Sequence, residues 1–419
     1  MKINVLNIGS FYISGVSADV QTDDRGEPAS IRITSYGISR SEGITEGYVN
    51  AKEKFKHSVN EALRKMHGDQ EYRPEKFYIC LTGAYIRGKE QAVQRAWSSE
   101  MHYITPEDIE KIMESSRSIS ISPDYEVISV HPNQFRIDES SSTKRPLNLK
   151  GRKLEMKSYV VYGESSKIDN IKTALMELNI SPSGVFYQPI AAGYAVLSQN
   201  ELDYGFSVLV DIGHSTTDVA IWKSGELVHA SSIPIAGLHI TKDIMIALNL
   251  KNFDTAERLK LTQGIARDDL VAEDNFINVT GLKSGKILEI PRRVLARIIY
   301  ARLYEIFYHV NNILSSYRAS DSIPVGVVLV GGSTGIEGIE KLAHEVLNAS
   351  VSIGEIQGFS NIPPDLEWPS FASTLGTVKL IIENHLITGK MENIPTKSSG
   401  ESTFKKLLKK FKKTVSEEF

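Results

Sequence analysis

The chain has 419 residues, more than one hydrophobic core usually organises, so two or more domains are expected. Apolar content of 41% and charged content of 24% are those of an ordinary globule, and a formal net charge of −3 gives no electrostatic footprint for nucleic acid. The single cysteine, Cys80, excludes an internal disulfide framework and fits a reducing compartment, and no run approaches the roughly eighteen apolar residues of a membrane span.

In chain order, the start reads as a strand rather than a signal peptide, with residues 5–8 buried and running into Gly9 and Ser10. Residues 31–36 and 77–81 are further strands, separated by a helix over about 52–66. Thr105, Pro106, Glu107 and Asp108 form a helix start, with Thr as N-cap, Pro at the first position and acids in the first turn. That helix turns Ile109, Ile112 and Met113 inward. Strands are expected at 127–130, 135–137 and 157–162, an exposed loop or hairpin at 138–150, and a helix at 168–178. His57, His67, His102 and His131 have no partners at metal-ligand spacing and read as surface or polar-core residues, and Cys80 reads as strand packing.

The second half is more sharply patterned. Residues 207–213 are a buried strand with a glycine turn, and 217–222 return as the second strand of a hairpin. Residues 291–317 form a long amphipathic helix carrying Arg292, Arg293, Arg297 and Arg302. Residues 325–332 are another glycine-terminated strand, followed by a helix at 339–347. A polar linker spans 386–402. In the final segment, 403–419, Phe404, Leu407, Leu408, Phe411 and Val415 fall within one arc of about 100° on a helical wheel. Lys405, Lys406, Lys409, Lys410, Lys412 and Lys413 occupy the other face. Such a helix has no core for its stripe, and an anionic membrane surface is its natural acceptor. The protein is expected to lie on a membrane rather than to cross it.

An internal echo carries the chemistry: one strand ends in Asn7-x-Gly9-Ser10, another in Asp211-x-Gly213-x-Ser215. Two such hairpins, one per half, can clamp a phosphate chain between two domains. Glycine permits close backbone approach, N–H groups bind phosphate oxygens, and a carboxylate holds hydrated Mg²⁺. Three other motifs accompany the run DIGHSTTD at 211–218 in order: QPIAAGYA at 188–195, AERLK at 256–260 and LVGGST at 329–334.

With these four motifs the chain resembles the actin–DnaK–sugar kinase superfamily and, within it, the FtsA family of bacterial actin-like proteins that tie the FtsZ ring to the membrane. The resemblance covers nearly the whole chain. It includes ITPEDIE at 104–110, VISVHP at 127–132, FASTLG at 371–376 and the basic helix after its linker, which looks like the family's membrane-targeting sequence. It implies an α/β, two-domain actin-like ATPase fold with an inserted 1C subdomain and a C-terminal amphipathic helix. The implied map is 1A at 1–83, 1C at 84–162, 1A again at 163–195, 2A at 196–240 and 2B at 241–318. It continues with 2A at 319–370, a return to 1A at 371–385, a flexible linker at 386–402 and the membrane helix at 403–419.

The resemblance also implies ATP and Mg²⁺ as cofactors. Gly9, Ser10 and Gly213 would admit the phosphates, Thr216 and Thr217 would donate hydroxyls, and Asp211 would hold Mg²⁺ through water. Glu257 and Lys260 match the pair that contacts ribose and adenine; Gly331, Gly332 and Ser333 match the adenosine turn. Gln188 falls where the superfamily orients the attacking water. Arg297 and Arg302 lie in the region that binds the acidic C-terminal peptide of FtsZ. Phe404, Leu407, Leu408 and Phe411, with Lys405, Lys406, Lys409 and Lys410, would meet the cytoplasmic face of the membrane at the division septum. Self-assembly into filaments and contacts of 1C with other division proteins are implied; nucleic acid is not.

The chain departs from the family pattern at three places. Asn7 replaces the first-loop Asp, and His214 and Ser215 replace loop glycines, where a Cβ restricts positive-φ geometry and crowds the phosphates. Phe11 and Tyr12 are bulky for a phosphate loop. These departures imply nucleotide binding with at most slow hydrolysis. The alternatives are a PilM-like peptide-binding protein of pilus assembly and a small-molecule kinase of the same superfamily.

Overall fold

The computed structural model describes residues 1–23, 28–68, 76–97, 100–280, 287–318 and 325–389. The final segment expected to be a membrane helix lies outside them, with Phe404, Leu407, Leu408, Phe411, Lys405, Lys406, Lys409 and Lys410.

The first lobe opens with three strands, β1 (Lys2–Ile8), β2 (Tyr12–Thr22) and β3 (Pro28–Arg40), and two short pieces, β4 (Ile44–Thr45) and β5 (Tyr48–Val49). Helix α1 (Lys52–His67) follows, then β6 (Lys76–Leu81). An inserted unit comes next: β7 (Ile86–Ala96), β8 (His102–Tyr103), α2 (Pro106–Arg117), β9 (Tyr125–Ile137), β10 (Lys150–Gly151) and β11 (Lys153–Glu164). The chain returns to the first lobe through α3 (Ser165–Met176), β12 (Ser181–Tyr187), α4 (Gln188–Val196) and α5 (Gln199–Tyr204). The second lobe holds β13 (Phe206–Ile212), β14 (Thr217–Lys223), β15 (Glu226–Ile233), α6 (Gly237–Ala247), α7 (Phe253–Gln263), β16 (Phe276–Thr280) and β17 (Ile287–Pro291). It continues with α8 (Arg292–Ser315), β18 (Val325–Val330), α9 (Ile339–Leu347) and β19 (Ser350–Ile353); α10 (Ala372–Thr388) packs back on the first lobe.

The two lobes repeat one design. In the first, the sheet order is β3-β2-β1-β6-β12; in the second it is β15-β14-β13-β18-β19. Each begins with an antiparallel meander of three strands and adds two parallel strands by helical crossovers. The central strands β1 and β13 are buried along nearly their whole length, as strands covered on both faces must be, and they are mostly apolar, interrupted by Asn4 and Asn7 in β1 and by Ser207 and Asp211 in β13. Each lobe has its own core, one around Val5, Leu6, Phe55 and Phe186, the other around Val208, Val210, Leu303 and Phe307.

The inserted unit is a three-stranded antiparallel sheet, β7-β11-β9, with α2 on one face and a core of its own around Ile109, Ile112, Phe135 and Met156. α2 begins where the sequence places it, with Thr105 and Asp108 forming a reciprocal cap. The strands expected at 127–130 and 135–137 are one strand, because β9 is a sheet edge and the missing N–H of Pro132 costs no ladder bond there. The unit also covers the free edge of β15. Asn133 exchanges both amide bonds with the Leu227 backbone (3.0 and 2.9 Å), and the Tyr159 hydroxyl accepts from Ala230 N at 2.8 Å. Residues 386–388, expected in the linker, continue α10, and Gly389 ends the helix in the left-handed conformation.

The lobes meet at α4 and α10. α4 packs on β13 and β14 of the second lobe, α10 on β1 and β2 of the first, and the two helices pack on each other. Gly376 permits this: a Cβ there would lie 1.8 Å from the Ala191 carbonyl oxygen. Gly376→Ala must drive the helices apart and is expected to cost about 1–3 kcal/mol or more. The check is the midpoint of chemical denaturation, and an unchanged midpoint would show that the helix pair separates freely.

Candidate functional site

Both central strands end in the same way. Asn7 is the penultimate residue of β1 and Asp211 the penultimate residue of β13, and each hairpin closes with the following glycine N–H donating to the carbonyl three residues on. These bonds are Gly9 N to Tyr12 O at 3.2 Å and Gly213 N to Thr216 O at 3.0 Å. The two loops face each other across the joint between lobes, and the Ser215 hydroxyl donates to the Ser10 hydroxyl at 2.7 Å. Glu46 N, from the first lobe, also donates to Ser215 Oγ at 3.2 Å.

The second loop is held from below by α6, whose first two N–H groups donate to Gly213 O (3.1 Å) and His214 O (2.6 Å). Gly237, which opens α6, is a site residue that the sequence reading misses. A Cβ there would lie 2.7 Å from Ser333 Oγ, 3.0 Å from Gly213 O and 3.3 Å from Lys260 Nζ. Gly331 sits at φ +95°, and its Cβ would fall 2.4 Å from Asp211 Oδ1 and 2.5 Å from Ile212 O. The fold therefore brings Gly9, Ser10, Asp211, Gly213, Glu257, Lys260, Gly331, Gly332 and Ser333 to one place, contributed by both lobes.

Several of these side chains already have protein partners. Lys260 Nζ donates to Glu257 Oε2 (2.9 Å), Thr241 Oγ1 (3.0 Å) and Gly237 O (3.2 Å), so its three protons are used in a buried pair. Thr217 Oγ1 donates to Ile235 O at 2.7 Å, and Thr216 bonds the Asp218 carboxylate. Gln188, the first residue of α4, donates both amide protons to the first loop, to Asn7 Oδ1 at 2.8 Å and Ile8 O at 3.2 Å. Arg302 forks onto Asp243 (2.7 and 3.0 Å) and also bonds Glu305, while Arg297 pairs with Asp268 at 2.8 Å. These two arginines lie on α8, apart from the loops.

Asp211 and Asp218 are directly opposite in the β13–β14 ladder, so two carboxylates share one face of the sheet. Asp218 Oδ2 accepts from Thr82 Oγ1 across the lobes at 2.7 Å, whereas its buried Oδ1 has no partner among the described residues. Burial pushes the Asp211 carboxyl up to about 8, with the Asp218 charge adding to it, and burial pushes Asp218 up to about 6 despite its bonds to Ser232, Thr82 and Thr216. Among the described residues no donor reaches the Asp211 carboxylate, and such a carboxylate beside a second, partly satisfied one is a donor set that fits a hydrated divalent cation.

A stability consequence follows. The folded state holds the Asp211 proton that the unfolded chain releases near its ordinary value of 3.8, so this residue's contribution to stability falls as pH rises from about 4 to about 8. Asp211→Asn is expected to unfold at a higher temperature than the parent at pH 8 in chelator, with the difference shrinking toward pH 5. Thermal scans across that range are the check, and equal melting temperatures at pH 8 would show that Asp211 is not held protonated by burial.

With this geometry in place, the chain can be set beside known proteins. A family model described as "Cell division protein FtsA" matches residues 208–376, and one described as "SHS2 domain inserted in FTSA" matches residues 83–162. The chain is 28% identical over 376 residues to a cell division protein FtsA of Neisseria meningitidis serogroup B, covering 89% of this chain and 88% of the relative. It is 29% identical over 385 residues to that of Bacillus subtilis, covering 92% and 84%. Among solved structures, the fold is similar to a chain of the PilM–PilN type IV pilus biogenesis complex, with TM-score 0.62, 15% identity and coverage of 92% and 99%. It is also similar to MreB 5 of Spiroplasma citri bound to AMPPNP, with TM-score 0.52, 14% identity and coverage of 92% and 98%. The duplicated lobes, the facing hairpin loops and the three-stranded insertion are those of an actin-like ATPase fold with an SHS2 unit, and the chain belongs to the FtsA family of cell-division proteins.

Proposed function

We propose that the protein binds ATP between its lobes, polymerises on the inner face of the cytoplasmic membrane and tethers the FtsZ ring there during division. The observation that carries this reading is the union, in one chain, of an actin-like cleft and a basic amphipathic segment at 403–419. In the cleft, Gly9, Ser10, Gly213 and Thr216 would surround the phosphates, Gly331, Gly332 and Ser333 the adenosine, with the Glu257–Lys260 pair beside them. Asp211 would hold hydrated Mg²⁺, which neutralises phosphate charge. With Asn7 in place of an acid, and Gln188 bonded to the first loop, hydrolysis is expected to be slow at best. The subdomain map given by the sequence, with 1C as a docking unit for other division proteins, belongs to the same proposal.

The tail is suited to reversible anchoring. Four or five half-sunk Phe and Leu side chains give about 4–7 kcal/mol before ordering costs. Each lysine near anionic lipid adds about 1 kcal/mol, reduced by salt. Several tails on one filament bind far more tightly through effective concentration. No described helix is long and apolar enough to cross a membrane.

For the FtsZ peptide, α8 offers a different set of side chains from the one expected. Arg297 and Arg302 are paired with carboxylates, while Tyr300, Tyr304 and Tyr308 stand 40%, 45% and 51% exposed along one side of the helix. Rigid aromatic side chains spaced by one helical turn are favourable anchors for a helical peptide.

Flotation with anionic liposomes tests the anchor. The full-length protein is expected to float and a truncation ending at Gly400 to stay behind; Leu408→Glu or Phe411→Glu is expected to release the protein with nucleotide affinity unchanged. Flotation of the truncation would remove the tail from the account. For the peptide, Tyr304→Ala is expected to weaken binding of a labelled FtsZ C-terminal peptide about tenfold, and Arg297→Ala less than about threefold, read by fluorescence anisotropy. The reverse order would return the arginines to the interface.

A further inference from the structure

The mouth of the cleft carries a cluster of rings that belongs to neither loop alone. The Phe11 ring of the first loop lies 4.9 Å from the His214 ring of the second, and His214 lies edge-on to Phe253, at the start of α7, at 6.2 Å. Arg40, the last residue of β3, places its guanidinium carbon 3.8 Å from the Phe11 ring centre. The cluster thus joins β3 and the first loop of one lobe to the second loop and α7 of the other.

Arg40 differs from the other cations around the cleft. Lys260 has all three protons committed to the protein, and Arg302 is forked onto Asp243. The Arg40 side chain is exposed and, among the described residues, has neither a carboxylate partner nor a hydrogen-bond acceptor; the face of Phe11 is its contact. An arginine held on an aromatic ring keeps its N–H fork available, and that fork matches phosphate oxygens two at a time. Its charge reaches the site: together with burial and Lys260 it holds the His214 imidazole down, and it acts in the same direction on Lys260. The surrounding charge is short of cations, since the Glu257–Lys260 pair is internally neutral and the loops themselves contribute no basic side chain besides His214.

We propose that Arg40 is a phosphate-binding residue of this cleft, steered by its contact with Phe11 and taking the distal phosphates of a nucleoside polyphosphate with its guanidinium fork. This rests on the reading that the cleft binds adenine nucleotide, and it adds a residue from β3 that none of the four motifs contains. Phe11 and His214, bulky where loop glycines would leave room, then act as the ledge that orients the arginine.

The test is equilibrium binding of ATP, ADP and adenosine to the full-length protein and to Arg40→Gln and Arg40→Lys, each checked for an unchanged melting temperature. Arg40→Gln is expected to bind ATP about 10- to 100-fold more weakly, ADP with a smaller loss, and adenosine within about twofold of the parent. Arg40→Lys, which keeps the charge without the fork, is expected to fall between. Equal ATP affinity in parent and Arg40→Gln overturns the assignment, as does an equal loss for ATP and adenosine, which is the mark of a purely structural role. If the parent protein binds ATP but Arg40→Gln is indistinguishable, only the arginine is removed. If the parent binds none of the three ligands, the nucleotide reading falls and the arginine with it.

Discussion

The close approach of α10 to α4 sets the distance between the two lobes, and the site depends on that distance. The contact is backbone against backbone: Gly376 leaves no room for a Cβ beside the Ala191 carbonyl, and Gly193 on α4 lies so near the Trp222 ring that a Cβ there would be 2.2 Å from it. Interiors packed to this density do not deform continuously, so the helix pair acts as a hinge block rather than a soft joint. Gln188 at the head of α4 then reaches Asn7, Thr82 reaches Asp218, and the Tyr187 hydroxyl meets Ser232 at 2.7 Å. Each of these bonds spans elements far apart in sequence, and each needs the helix pair to be in place.

On that frame the protein repeats one sheet twice and then treats the copies differently. Both hairpin loops use the same glycine-closed turn, but the first ends in a neutral Asn7 and the second in a buried Asp211 facing Asp218. The negative charge of the cleft therefore sits in one lobe, where desolvation and a like-charged neighbour favour its protonated form. A cation or an arginine fork brought to that side changes the balance more than it would in a symmetric pair of loops. The ring cluster of Phe11, His214 and Phe253 adds an apolar lip to the same opening.

The inserted unit and α8 contribute none of the loop side chains described at the cleft. Asn133 and Tyr159 satisfy backbone groups of β15, so the second lobe's sheet has a covered edge. On α8, the arginines nearest the expected peptide region are held by Asp268, Asp243 and Glu305, and the tyrosines are left facing out. An arginine in a sequence looks available because its partner is invisible; Asp243 is fifty-nine positions from Arg302 along the chain, and α6 brings it there.

Local pattern was sufficient wherever one segment decides the outcome. Largely apolar runs closed by glycine identify β1, β13 and β18; Thr105, Pro106 and Asp108 identify the start of α2; and the repeated strand-end motif anticipates the duplicated lobes. The split reading of β9 arose because a proline on an edge strand looks locally like a break, whereas Leu386 and Ile387, read as linker, continue α10 because Ile387 is buried in the core of the inserted unit. What the sequence by itself determined is the set of elements, the two loops and the family, since these rest on periodicity, caps and short motifs. What only the tertiary structure decided is which polar side chains remain available. Thr217, Gln188 and Arg302 are each satisfied by partners from other elements, and Lys260 by Gly237 and Thr241 of α6 as well as by Glu257 on its own helix, while Gly237 and Arg40, which belong to no motif, arrive at the cleft because α6 begins and β3 ends there. Hydrogen-bond satisfaction and charge pairing are properties of three-dimensional neighbourhoods, and a linear pattern does not contain them.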